Sequence, residues 1–426
     1  MKKIFILTAS VVLMATGCAK FLDLEPSSAV SPSSVNTKDI AALRNGMYFK
    51  VQESPTTSSY IMFDLFGGEL TTKSSTNPLD LITSLASSNN SIVEGQWEGY
   101  YKALMQVNNV YGIAQGLPEG NERNKMLGEC CYFRAYLHLC LVTRFGDVPL
   151  MKENTDAKVY RTSAAEVWKF IEDELDKAMD LLGSPDEGYY YLSADAATAL
   201  RARVALYRGD KTLAAELAES LIANARYGLD SYENIFRGKP NKEMIFGFSC
   251  LTSDQSGIAL STLFYSYNHP NAGSYEYRPS ADVMAMYDDA DTRKAVSIMV
   301  LDNLPSINKY PSGQTGTDPV VISRIGEMYL ISAEAKGLQN GGVDRLNDLR
   351  VFRGLEKIYP ASETELIDAV LEERRRELLC EGHRWYDLVR HGKAVEVLGI
   401  QPYQTLLPVP ASERRANGNL TQNEGY

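Results

Sequence analysis

The sequence predicts a mainly α fold, built from four degenerate helix pairs of the tetratricopeptide (TPR) type and carrying an irregular, loop-rich part with short β-hairpins. Three observations predict it. Small and apolar residues recur at helical spacing in paired segments of about 34 residues. Two stretches, 53–91 and 248–319, break that rhythm with Gly, Ser, Asn, Pro and Tyr. A composition of 44% hydrophobic and 23% charged residues over 426 positions supplies the apolar side chains of a large core.

In chain order the first element is a targeting segment. Lys2 and Lys3 precede an apolar run, Ile4 to Met14, that is too short to span a bilayer. Ala15, Thr16 and Gly17 then lead into Cys18, the arrangement of a bacterial lipoprotein signal in which residues 1–17 are removed and Cys18 is lipidated. Residues 18–35 are rich in Ser and Pro and read as a tether. The chain is acidic, with formal charge −11, and the loss of two lysines with the signal makes it more so; acyl chains, not attraction to anionic lipid, must hold it to a membrane. The same balance excludes a nucleic-acid partner, which demands a basic stripe.

Residues 36–426 read as one domain, with helices mainly within 36–52, 92–225 and 320–392. The clearest pair is SADAATALRARVALYRGDKTLAAELAESLIANARYG. Ala196, Ala199, Leu200, Val204 and Tyr207 line one helix, Gly209-Asp210 makes the turn, and Ala214, Leu217, Ala218, Leu221 and Ile222 line the next. Alanine at the crossing permits close approach. A second pair places Ile322, Ile325, Tyr329, Leu330 and Ala333 on one stripe and turns at Gly341-Gly342. The segments 92–145 and 164–182 complete the set, and the long loops between them mark candidate functional regions.

The C-terminal helix carries ERRRELLCEG, three consecutive arginines in an acidic protein. At 100° per residue, with Ile367 as origin, Val370, Leu371 and Leu378 fall within about 60° and form the buried stripe. Arg374 lands on that stripe and needs a carboxylate partner; Arg375 lies on the flank, and Arg376 points to solvent. The arginines are therefore expected to hold structure, not ligand. Gly382 is expected to end the helix and Trp385 to anchor the core of the segment that follows.

The chemistry of catalysis is missing from the motifs: there is no GxSxG, HExxH, P-loop or GxGxxG. No cofactor is implied. His383 and His391 stand eight apart, the wrong spacing for a shared metal, and no CxxC pair exists among the six cysteines; Cys130, Cys131, Cys140, Cys250 and Cys380 read as small core residues. Binding has better candidates. In LFYSYNHPNAGSYEYRPS, Tyr265, Tyr267, Tyr275 and Tyr277 alternate with polar residues beside Asn268 and Arg278, and Tyr60 stands in the other irregular stretch. Tyrosine offers a flat apolar face with a polar edge, which suits a pyranose or a peptide. The alternation equally describes a strand hairpin packing its tyrosines on the helical body. Trp97, Trp168 and Trp385, the three tryptophans, all have core readings, so a tryptophan-based sugar platform is not expected.

ERRRELLCEGHRWYDLVRHG resembles the C-terminal signature of the SusD/RagB family of Bacteroidetes outer-membrane lipoproteins. CAKFLDLEP, WEGYYKALMQVNNV, RAYLHLCLVTRFGDVPL, ALRARVALYRGD, YDDADTRK, NKYP and RIGEMYLISAEA agree in the family's order. The resemblance implies a helical body of four TPR-like units docked on a SusC-like TonB-dependent transporter, lipid-anchored in the outer membrane and exposed at the cell surface. It implies a non-enzymatic binding protein that captures oligosaccharide for delivery. The alternatives are a peptide-capturing RagB-like protein, a TPR scaffold for protein partners, and a glycosidase with carboxylates distant in sequence.

Overall fold

A computed structural model describes residues 40–250, 258–265 and 273–426. Cys18 with the signal and tether, and Tyr267 and Asn268 of the candidate set, lie outside the described residues. Asn45–Tyr426 forms one compact unit; of the unit before it, Met1–Arg44, the described part is the start of a helix.

That helix, α1 (Ile40–Glu53), is followed by α2 (Ser91–Gln115), α3 (Asn121–Phe145), α4 (Ala164–Leu181), α5 (Ala194–Arg208), α6 (Lys211–Ile222), α7 (Ile325–Lys336), α8 (Gly342–Phe352), α9 (Glu363–Glu377) and α10 (Arg384–Arg390). Side-chain caps fix several starts. Asn90 accepts from the N–H groups of Ile92 and Val93, Ser163 from that of Glu166, Ser193 from Ala196, Asp210 from Leu213 and Ser362 from Glu365. From α2 to α8 each helix packs against the next, and α9 lies on α7. The α5–α6 turn is where the spacing put it: Gly209 takes the left-handed conformation, φ 82°, and Asp210 caps the following helix. Ala196, Ala199, Ala202, Ala205, Ala214 and Ala218 are fully buried between the crossing helices. At the second turn a Cβ on Gly342 would stand 2.3 Å from the Ala333 carbonyl oxygen, so only glycine fits.

Helices α6 and α7 pack together although residues 223–324 intervene. Strands β2 (Met244–Phe248) and β6 (Val320–Arg324) pair antiparallel and form the stalk from which the second irregular stretch departs and returns. Three short strands shape that stretch: β3 (Tyr277–Pro279) and the hairpin β4 (Ile298–Leu301) with β5 (Leu304–Ile307). The first irregular stretch supplies β1 (Leu70–Thr72), which pairs antiparallel with β3 in the register Leu70–Pro279, Thr71–Arg278 and Thr72–Tyr277. The two irregular stretches, remote in sequence, are thus stitched into one region.

The C-terminal arginines follow the expectation in part. The buried face of α9 carries Leu366, Val370, Leu371, Glu373, Arg374 and Glu377, so Val370 and Leu371 lie on it as expected while Ile367 itself is only half-buried and the stripe extends to its Leu366 side. Arg374 is buried and its Nε donates to Asp387 Oδ2 at 2.7 Å, joining α9 to α10. Arg376 does not point to solvent: its Nε donates to the Met286 carbonyl at 3.0 Å, because the 281–297 segment packs over that flank. The helix ends at Glu377, short of Gly382. Gly382 instead turns the chain beyond it, with φ 76° and no room for a Cβ, which would meet the Tyr60 carbonyl oxygen at 2.8 Å. Trp385 is fully buried against Phe63 and Phe66. Trp97, Trp168 and all five described cysteines are buried too.

Candidate functional site

The irregular region is fastened to the helical frame by a buried lattice of charge. Glu377 of α9 receives Arg293 Nη1 at 2.8 Å, Arg353 Nη2 at 2.7 Å, and Arg324 Nη1. Arg293 also meets Asp291 and Glu373, each at 2.7 Å. Arg353 and Arg324 reach Glu243 at 2.6 and 3.3 Å, and Arg324 with Lys309 holds Glu381 at 2.9 and 2.6 Å. Burial opposes charge on Glu377, but Arg353, Arg324 and Arg293 outweigh it and keep the carboxyl well below the usual range. Asp291, Arg293 and Lys309 come from the second irregular stretch and Arg324 from its stalk, so the lattice fixes that stretch against α9.

A second clamp fixes the first stretch. Asp64 is fully buried and accepts from the N–H groups of Cys380 and Gly382 at 2.7 and 2.9 Å. Burial, with Glu69 nearby, pushes its carboxyl from 3.8 up to about 8. Glu69 in turn receives Arg375 Nε at 2.8 Å and Arg384 Nε at 3.4 Å. Its carbonyl accepts from Ser280 N–H at 2.9 Å, directly after β3.

Where the two stretches meet, the β1–β3 ribbon has one face turned in and one turned out. Tyr275, Tyr277 and Pro279 are buried while Glu276 and Arg278 stay partly exposed, and on β1 and just beyond it Thr71 and Lys73 are exposed. Cross-strand bonds tie the ribbon: Thr72 Oγ1 donates to Glu276 Oε1 at 2.8 Å and Lys73 Nζ to the Ser274 carbonyl at 2.7 Å. Tyr275 has φ 49°, a left-handed conformation uncommon for a side chain of its size. Its hydroxyl donates to the Pro305 carbonyl at 2.9 Å, and the Arg278 guanidinium lies 4.7 Å from its ring centroid.

Of the two readings of the tyrosine alternation, packing of the rings on the body describes Tyr265, Tyr275 and Tyr277, which are 1%, 6% and 1% exposed. Tyr265 donates to Asn308 Oδ1 at 3.1 Å. The strand partner of Tyr277 is Thr72 from the other stretch, not a segment around Tyr265. Tyr60 is half-buried; its hydroxyl donates to the Gln52 carbonyl at 2.7 Å and it lines a pocket of about 80 Å³ together with Tyr100, Tyr136, Tyr207, Tyr310 and His383. Such a volume holds a few waters and no sugar ring. The structure therefore brings Tyr275, Tyr277 and Arg278 to one ribbon and places Tyr60 and Tyr265 elsewhere. Sequence reasoning missed Thr71, Lys73 and Glu276, whose places follow only from a pairing across two hundred residues.

A larger cleft of about 540 Å³ opens between the start of α3 and the 182–192 loop. Its walls are polar, including Asn121, Asn124, Asp180 and Asp186, and Lys125 and Glu187 pair within it at 2.5 Å. Its aromatic, Tyr191, is edge-on to Tyr48 at 5.5 Å. Among the described residues no group of three or more His, Cys, Asp or Glu side chains is arranged to hold a metal, and no helix is long and apolar enough to cross a membrane.

Residues 20–206 match the family model described as starch-binding, associating with outer membrane, and residues 287–404 that of the SusD family. A SusD-like protein of Formosa agariphila is 26% identical over the full length of both chains. A putative sugar-binding protein of Bacteroides vulgatus superposes with TM-score 0.78 at 26% identity, over 92% of this chain and 99% of that one. The surface glycan-binding protein A of Bacteroides thetaiotaomicron, solved with laminarihexaose, superposes with TM-score 0.79 at 20% identity over 91% of this chain and all of that one. With the helix order, the paired turns and the C-terminal charge lattice already in place, these matches establish that the chain belongs to the SusD/RagB family.

Proposed function

We propose that this protein is a lipid-anchored, surface-exposed component of the outer membrane that binds oligosaccharide on the β1–β3 face and hands it to a SusC-like TonB-dependent transporter. The observation that carries the reading is the ribbon itself. It joins both irregular stretches and holds Lys73, Glu276 and Arg278 beside Thr71 on a base fixed to the frame by buried ion pairs. Fixed hydrogen-bonding groups lose little entropy on meeting a polyhydroxylated ligand, which favours polar recognition. The matched family models and the laminarihexaose-bound relative support a glycan as cargo.

The tyrosines then act from behind. Tyr275 orients Arg278 and Tyr277 packs on the inner side of the ribbon, while Tyr265 and Tyr60 bind Asn308 and the Gln52 carbonyl within the body; Tyr267 and Asn268 remain ligand-contact candidates of the same stretch. Cys18 carries the lipid, and the Ser- and Pro-rich segment up to residue 35 spaces the domain from the bilayer. Tethering beside a transporter raises local ligand concentration, so moderate affinity suffices. Among the described residues of the ribbon Glu276 is the one carboxylate, so no acid and nucleophile pair is offered there and no turnover is expected.

The test is calorimetry of the mature soluble domain against a panel of oligosaccharides and oligopeptides. Saturable heat with at least one oligosaccharide and none with peptides supports the reading. Saturation by peptides alone transfers the protein to the peptide-capturing branch, and reducing-end release from any oligosaccharide contradicts a binding-only role.

A further inference from the structure

We infer that the β1–β3 face selects an anionic glycan, one whose sugars carry a carboxylate or sulfate oxyanion, and that Arg278 is the residue that reads this charge. The inference rests on the binding face proposed above and adds the class of ligand it takes.

Arg278 differs from the guanidinium groups that hold the region to the frame. Arg293, Arg324, Arg353 and Arg374 each meet at least one carboxylate within 3 Å. Arg278 forms no ion pair among the described residues, and its Nε is shielded from solvent without a hydrogen-bond partner. Arg374 and Arg384 also carry shielded N–H groups without a hydrogen-bond partner, but each lies against a carboxylate; Arg278 has the unmet N–H and, among the described residues, no carboxylate to offset it. Its plane is nevertheless held. The guanidinium stacks on Tyr275, whose hydroxyl is tied to the Pro305 carbonyl and whose backbone adopts the left-handed conformation that brings the ring there. Stacking occupies the face of a guanidinium and leaves its edge, where the N–H donors lie, for a partner in the same plane. Carboxylates and sulfates accept from such an edge with two oxygens at once.

The neighbours favour the same chemistry. Lys73 sits two residues along the exposed side from Thr71, the register partner of Arg278, and is pinned by the Ser274 carbonyl. Glu276, the carboxylate of the ribbon, is engaged by Thr72 Oγ1 and does not pair with Arg278. In a chain with 54 acidic against 43 basic residues, a face that presents two cations and leaves one unneutralised departs from the background. Against the general repulsion of an acidic protein, such a local pair lets an acidic chain bind in one register.

The experiment compares three oligosaccharides of matched length by calorimetry: a neutral β-glucan, a uronate oligomer and a sulfated oligomer. Wild type is expected to bind one anionic oligomer at least tenfold more tightly than the neutral one, with the preference shrinking as salt rises from 50 to 500 mM; the two anionic arms identify which oxyanion is read. Arg278→Ala should bring the anionic-to-neutral ratio to within about threefold of unity, and Arg278→Lys should restore part of it. Lys73→Ala, at an exposed position, should halve the salt sensitivity, with the unfolding midpoint recorded alongside as a check on folding. Wild-type binding of the neutral glucan equal to or tighter than both anionic oligomers overturns the inference while leaving the glycan-binding reading intact. A preference that survives Arg278→Ala overturns the role of that residue, and no binding of any oligosaccharide overturns both.

Discussion

Glu377 shows what a single side chain does in this molecule. Three guanidinium groups converge on its two oxygens, and none of them reaches water. Glu377→Gln keeps the shape and removes the charge, leaving a surplus of buried cation; the expected loss is about 3–5 kcal/mol, measured by denaturant unfolding with the m-value as check on two-state behaviour. Gly382→Ala introduces a Cβ at φ 76° facing the Tyr60 carbonyl, and a loss of at least about 1 kcal/mol is expected from the same measurement. At this scale the sequence was readable where a residue contradicted its setting. An arginine on an apolar stripe demanded a carboxylate, and Asp387 supplies it. Glu373 and Glu377 escaped notice because the stripe was centred on Ile367; centred on Leu366, the spacing 366, 370, 373, 377 places both on the buried face. The Glu377 partners Arg293 and Arg324 lie 84 and 53 positions away, beyond the reach of any local pattern.

Helices were more legible than strands, for a physical reason. The pair α5–α6 announces itself through side-chain caps, a glycine turn and alanine crossings, and α7–α8 through its apolar stripe and glycine turn, all local features. Strand β2 is buried along its whole length, so it shows no alternation, and β1 has three residues, too few for a period. Both exist because a distant partner supplies their hydrogen bonds. The caps are also testable one at a time. Ser362→Ala removes the acceptor for the Glu365 N–H at the start of α9 and is expected to cost about 1 kcal/mol, with Ser362→Asp near neutral, by thermal or denaturant unfolding. A loss above about 3 kcal/mol would show that Ser362 does more than cap.

For the whole molecule, the two clamps oppose each other in pH. Folding raises Asp64 from 3.8 to about 8, so its contribution is complete below the ordinary aspartate range and is lost as pH rises through about 8. Folding lowers Glu377 and Glu381, against their burial, through their cationic neighbours; their contribution is present above the ordinary glutamate range and is lost as pH falls below it. From these groups stability is expected to be highest at about pH 4–5, to fall as pH rises from there to about 8 and to fall again in stronger acid, and Asp64→Asn should flatten the alkaline limb alone in unfolding midpoints measured across pH. The fold at this scale was legible because repeated local units generate it, and the family resemblance agreed with that reading. The placement of the binding candidates was not, since what faces outward is decided by β1 meeting β3.

The most direct measurement is a crystal structure of the mature domain grown with an oligosaccharide that binds in solution. The account predicts sugar against the outer face of the β1–β3 ribbon, with a ring substituent hydrogen-bonded to Arg278 and contacts reaching Thr71 or Lys73. Sugar seated in the polar cleft beside Asn121 and Tyr191, with the ribbon bare, would contradict it.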